Sequence, residues 1–181
     1  WQRPFKVLAH SQVTARMNIV VFEDRAVPQL VPIVLGRPAY TITCGSYRLL
    51  DWLQQCRPWR GIVRPHLDEL QSAIYDSAGN DQTVKPGPTL FVNARLVPCV
   101  ATFRQLETLR RHKGNALIRV GEHVAAAVVG DALPGYEGDP TNQLLNDGLA
   151  ELEPTLGLFG FPHDVVRENM ATLGENLEYR L

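Results

Sequence analysis

The sequence predicts an α/β fold, a mixed, mostly parallel sheet flanked by helices. Three observations carry this expectation. Residues Asn18 to Leu53, NIVVFEDRAVPQLVPIVLGRPAYTITCGSYRLLDWL, read as strand, loop, glycine turn and helix. Strand-like and helix-like segments then alternate through the first two-thirds of the chain. Two strand-forming runs flank Gly121-Glu122 and read as a β-hairpin, which makes the sheet mixed.

The elements follow in order. Ile19 to Phe22 is an unbroken β-forming run, closed by Glu23-Asp24, and predicts a buried strand. Pro28, Pro32 and Pro38 exclude a long helix from 26–43, leaving short extended pieces at Val31–Leu35 and Tyr40–Thr43. Ser46 is a candidate cap for a helix running to Cys56, with Leu49, Leu50, Leu53 and Cys56 on one face. Gly61 to Val63 predicts a short strand. Pro65 then suits the first turn of a helix that buries Leu67, Leu70 and Ile74. Ser77 to Pro88 reads as a loop and Thr89 to Val92 as the next strand. Thr102 and Gln105 have capping-box spacing, opening a helix with Phe103, Leu106 and Leu109 inward and Gly114 as its stop. Ala116–Val120 and His123–Val129 form the hairpin, although the alanine run at 125–127 is a weak strand former. Thr141 or Asn142 opens a helix carrying Leu144, Leu145, Leu149 and Leu152, and a short helical piece follows near Val165–Met170.

Composition narrows the function classes. The chain has 181 residues, 45% hydrophobic and 20% charged, with a net charge of −1. That suits one domain with a real core. No basic surplus exists to release counterions from a nucleic-acid backbone. No apolar run approaches the ~20 residues that cross a bilayer. Three cysteines without paired spacing suggest neither a disulfide framework nor a zinc site, which fits a reducing, cytoplasmic setting. The first convincing strand starts just after Met17. Residues 1–16 therefore read as an upstream leader and 17–181 as the domain.

VFEDRAV, VPIVLGRPAYTITCG, IVRPHL and LFVNARLVP, in that order and spacing, resemble the GlmU-like sugar nucleotidyltransferases of bacteria. The resemblance runs from about Met17 to Leu181. It implies a nucleotide-diphospho-sugar transferase fold of Rossmann-like type. The implied activity is transfer of a nucleotidyl group from an NTP, UTP first among them, to N-acetylglucosamine 1-phosphate with release of pyrophosphate, aided by Mg²⁺. In that family a left-handed β-helix of acyltransferase type follows. No hexapeptide repeats occur here, so the chain reads as the front portion of a longer protein, with homo-oligomerisation through the absent part. A non-catalytic nucleotide-sugar-binding or assembly domain is the alternative.

Such chemistry needs backbone N–H groups and cations near phosphates, and carboxylates for a metal. The chain lacks the Gly-rich signature and lysine of well-known sugar nucleotidyltransferases, since VFEDRAVPQL has no glycine. It also lacks the arginine that family members often carry shortly before the glycine at Gly45. Arg37 is either the phosphate contact in place of that lysine or a structural Arg-Pro turn. Gly45 is either a close backbone approach to ligand or the turn before the helix. Asp24, beside Glu23, is either the catalytic and metal carboxylate or part of a solvated strand terminus, and Asp131 is either a weaker second metal ligand or a loop residue. Arg64 and Arg95, each after a short strand, are either substrate contacts or ordinary surface arginines, and Asn93, ending the Thr89–Val92 strand, is either part of the substrate pocket or the cap of a turn. Cys44 has no His or Asn partner at a telling spacing, so it reads as a small buried side chain.

Overall fold

Asn18–Phe22 forms β1, flanked on both sides by parallel strands in the computed structural model, which describes residues 17–75, 87–132, 139–153 and 156–180. Arg60–Ile62 (β2) pairs with one edge of β1, and Gly87–Asn93 (β3) pairs with the other. His123–Ala132 (β5) runs antiparallel to β3 and to Ala116–Val120 (β4). Ala150–Leu152 (β6) closes the sheet parallel to β4. The order is β2-β1-β3-β5-β4-β6. Only β5 runs against the rest, so the fold is the mixed, mostly parallel α/β sheet that the alternation predicts.

Both faces of the sheet are buried, which explains its unbroken apolar strands. Ile19 and Val21 of β1 join the larger core, whereas Val20 and Phe22 join the smaller one. The same alternation sends Leu90 and Val92 of β3 one way and Phe91 the other. Helices Leu49–Leu53 (α1) and Val100–Arg110 (α3) supply Leu49, Leu50, Leu53, Phe103, Leu106 and Leu109 to the larger core. Thr141–Asn146 (α4) covers the opposite face with Leu144. The small side chains of Ala125 to Ala127 are fully buried at the centre of β5, against which α3 packs. Packing there outweighs their weak strand preference.

Several elements differ from expectation, each for a local reason. Residues 31–43 form turns rather than extended pieces, with 3₁₀ segments at Val27–Leu30 and Ala39–Thr41. Prolines spaced this closely favour tight turns over a sheet ladder. α1 starts at Leu49, not after Ser46. Ser46 sits at φ 70°, and Asp51 accepts the Arg48 N–H at 2.8 Å instead. α2 (Asp68–Tyr75) follows a 3₁₀ turn opened by Pro65 and leaves Ile74 exposed. α3 begins at Val100, two residues before the expected cap, because Asn176 accepts the Val100 N–H at 3.1 Å from a distant helix. Leu149 and Leu152 lie beyond α4, which ends at Asn146, and Leu152 belongs to β6. The short C-terminal piece extends to nineteen residues, Pro162–Arg180 (α5). Much of the loop expected at 77–88 lies outside the described residues, but Gly87 and Pro88 already belong to β3.

Before α5, Leu156 and Phe159 are buried in the main core, whereas Phe161 is exposed. Among the described residues no helix is long and apolar enough to cross a membrane.

Candidate active site

β2, β1 and β3 are parallel, so their carboxyl ends fall on one edge, where ligands bind in open α/β sheets. There the chain places Arg64 just beyond β2, Glu23 and Asp24 beyond β1, and Asn93 and Arg95 at and beyond β3. Because β5 is antiparallel to β3, its first residue, His123, arrives at the same edge. A cavity of about 330 Å³ opens here. Its lining comes from Asp24, Arg25, Ala26 and Gln29 after β1, from Glu122 and His123 of the hairpin, and from Thr141 at the start of α4.

Two ion pairs dominate the edge. Asp24 lies against Arg95, whose Nε and second terminal nitrogen donate to its two oxygens at 2.8 and 2.6 Å. Asn93 Nδ2 adds a third hydrogen bond to Asp24 at 2.9 Å, and the Ala26 N–H a fourth at 3.1 Å. Both side chains of the pair are 2% exposed. Burial by itself would raise the Asp24 pKa. The hydrogen bond and charge of Arg95, with Asn93 and the Ala26 amide, outweigh burial and hold the carboxyl below its ordinary range.

Glu23 is engaged in parallel fashion with Arg64, which donates from its backbone N–H at 3.0 Å and from Nε at 2.9 Å. Glu23 also accepts the Ala39 N–H at 2.8 Å. A terminal nitrogen of Arg64 reaches on to the carbonyls of Val34 and Arg37, at 2.7 and 3.0 Å. Each acid after β1 is thus paired with the arginine at the end of a neighbouring parallel strand.

The sequence-derived candidates divide accordingly. Asp24, Asn93 and Arg95 are brought into one hydrogen-bonded cluster, and Arg64 stands beside it through Glu23. Of these, only Asp24 lines the cavity. Arg37 turns its Nε onto the Ile33 carbonyl at 3.0 Å and does not line the cavity. Gly45 is docked on α5. Its N–H donates to Asn169 at 2.9 Å, and its carbonyl accepts from Asn176 at 2.7 Å. A Cβ there would strike the Thr172 hydroxyl and the Asn176 amide, and the backbone has φ +55°. Close packing of α5, rather than approach to the cavity, is what requires the glycine. Asp131 lies in β5, and its side chain falls outside the described residues. Cys44 is fully buried, and burial pushes its thiol up to about 11. A thiol so disfavoured as thiolate makes no nucleophile.

His123, Glu122, Arg25 and Thr141 were not singled out by sequence reasoning. His123 is one of five histidines scattered through the sequence, and none of them has a partner at metal-ligand spacing. Its Nδ1 lies 3.7 Å from Asp24 Oδ2. Asp139 organises the far rim: it accepts the Arg25 N–H at 3.2 Å and the Thr141 N–H at 2.9 Å. The available signal was the hairpin itself, because a strand antiparallel to β3 must begin where β3 ends.

A family model of sugar nucleotidyl transferases matches residues 19–180. The chain belongs to the sugar nucleotidyl transferase family. A solved structure titled as a putative glucose-1-phosphate thymidylyltransferase from Bacillus anthracis in complex with a sucrose is similar in fold. It has 14% sequence identity and a TM-score of 0.51, over 87% of this chain and 95% of that one. No curated protein sequence matches the chain. The family's chemistry, nucleotidyl transfer to a sugar phosphate, generally employs a divalent metal.

The residues in place here do not suit a metal at Asp24. A carboxylate offers about four lone-pair directions, and those of Asp24 are taken by Arg95 twice, Asn93 and Ala26. Among the described residues no cluster of three or more His, Cys, Asp or Glu is placed to hold a metal.

Proposed function

We propose that this member of the sugar nucleotidyl transferase family transfers a uridylyl group from UTP to N-acetylglucosamine 1-phosphate, releasing pyrophosphate, in the cytoplasm, as a GlmU-like protein would. The observation that carries the reading is the convergence of Asp24, Asn93, Arg64 and Arg95 on the carboxyl edge of a family-type sheet, beside a cavity of about 330 Å³. That volume is at the small end of the roughly 300–1,000 Å³ of small-molecule sites.

The residues divide the work. The two ion pairs set the shape of the edge and hold the turns after β1 and β3. Arg25 and His123 are the side chains lining the cavity that can donate hydrogen bonds from nitrogen to phosphate oxygens. Thr141 offers its amide and hydroxyl on the opposite wall. Transfer then proceeds through positioning and charge neutralisation, which dominate phosphoryl-type chemistry. Pyrophosphate release from UTP with N-acetylglucosamine 1-phosphate tests this reading. Absence of turnover with every NTP and sugar 1-phosphate pair, in a protein carrying its natural flanking sequence, rejects it.

One observation favours a second reading, a nucleotide-sugar-binding domain without turnover. The carboxylate expected to serve catalysis is already consumed by Arg95. Binding of UDP-N-acetylglucosamine without pyrophosphate release separates the two.

A further inference from the structure

We propose that Arg95 stands in the place of a divalent metal at Asp24, so that this carboxylate is a permanent counter-ion and is not a metal ligand. The inference deepens the transferase reading of the same edge, and only its nucleotide arm rests on that reading.

Three features support it. First, the Asp24 carboxylate is saturated. Oδ1 accepts from the Ala26 N–H and Arg95 Nε, and Oδ2 from Asn93 Nδ2 and the Arg95 terminal nitrogen. A metal could bind only by expelling one of these donors. Second, the guanidinium cannot leave cheaply. Arg95 is 1% exposed, its other terminal nitrogen donates to the Phe159 carbonyl at 2.5 Å, and its backbone N–H is held by Asn93 Oδ1 at 2.9 Å. Displacing it would strand a buried cation. Third, the adjacent acid is no substitute. Glu23 is held by Arg64 and by the Ala39 amide. The charge that neutralises phosphate at this edge therefore comes from Arg25, not from a cation on Asp24.

The direct test is a wild-type crystal soaked with Mn²⁺ and UTP, with Mn²⁺ located by anomalous scattering. Asp24 still bridged to Arg95, with no Mn²⁺ bonded to its oxygens, supports the proposal, wherever else the ion binds. Mn²⁺ at about 2.1–2.2 Å from an Asp24 oxygen, with Arg95 turned away, overturns it. A solution measurement adds a gain-of-function arm. Paramagnetic titration should show Mn²⁺ binding by wild type unchanged in Asp24→Asn, whereas Arg95→Gln, if it folds, should bind Mn²⁺ more tightly than wild type does. A single Mn²⁺ site in wild type that disappears in Asp24→Asn overturns the proposal even if Arg95→Gln does not fold. Failure of UTP to bind under any condition rejects the transferase reading instead, and leaves Asp24 to be judged by the Mn²⁺ position alone.

Discussion

Replacing Arg95 with Met probes the central pair most severely. The thioether roughly matches the arginine stem but supplies no donor. Asp24, buried in wild type, would keep Asn93 and the Ala26 amide but lose two charge-assisted hydrogen bonds. The Phe159 carbonyl would lose its guanidinium donor as well. Breaking a buried pair from one side costs about 3–5 kcal/mol. At roughly 2–4 °C per kcal/mol for a chain of this size, the melting point should fall by about 6–20 °C. Total stability of such domains is only about 5–15 kcal/mol, so the loss is large. Urea unfolding followed by fluorescence of the buried Trp52 and Trp59 reads it. Asp24→Leu combined with Arg95→Met should recover much of the loss, because an apolar pair leaves no stranded charge. A loss below about 1 kcal/mol, the level of a solvated surface pair, would refute the reasoning. It would mean that Asp24 is hydrated and open to ligand.

Four further outcomes follow from the same geometry. Acid should destabilise the protein. The folded pKa of Asp24 is depressed, so its contribution is present above the unfolded carboxylate pKa and lost as pH falls through the folded value. Stability of wild type should therefore drop below about pH 4, and less steeply in Asp24→Asn, by urea midpoints across pH. Gly45→Ala should cost about 1–3 kcal/mol from its positive φ, with more from the clash with Thr172 and Asn176, and faster hydrogen exchange at 169–176. His123→Ala and Arg25→Ala should each weaken UTP binding by about 1.5–3 kcal/mol, the size of a hydrogen bond to a charged group, by calorimetry, with melting points little changed. Cys99, partly exposed, should react with a thiol reagent in the native state, whereas Cys44 and Cys56, pushed up by burial to about 11 and 12, should react only on unfolding.

Patterns that depend on neighbours in sequence were legible without coordinates. The apolar run at Ile19–Phe22, the hairpin about Gly121-Glu122 and the helix over Phe103–Leu109 record burial on one or both faces directly in residue order. Alternation of those pieces was enough for the fold class, and the ordered motifs were enough for the broad sugar nucleotidyl transferase family. Local propensity misled where distant groups took over. Asn176 satisfies the first amide of α3, so Thr102 is no cap. The sequence signals only a short helical piece near Val165–Met170, yet α5 continues through Gly174, anchored by Asn169 and Asn176 on the Gly45 peptide.

The sequence alone determined that acids, arginines and an asparagine would stand at strand ends, because strand length and the residues that close it are written in order along the chain. Only the tertiary structure decided what those groups do to one another. Parallel pairing of β2, β1 and β3 sets charges from three distant segments side by side, so Glu23 meets Arg64 and Asp24 meets Arg95 rather than solvent. The reversal of β5 carries His123 to the same edge. Coulomb attraction at contact distance depends on separation in space, and separation in sequence does not encode it.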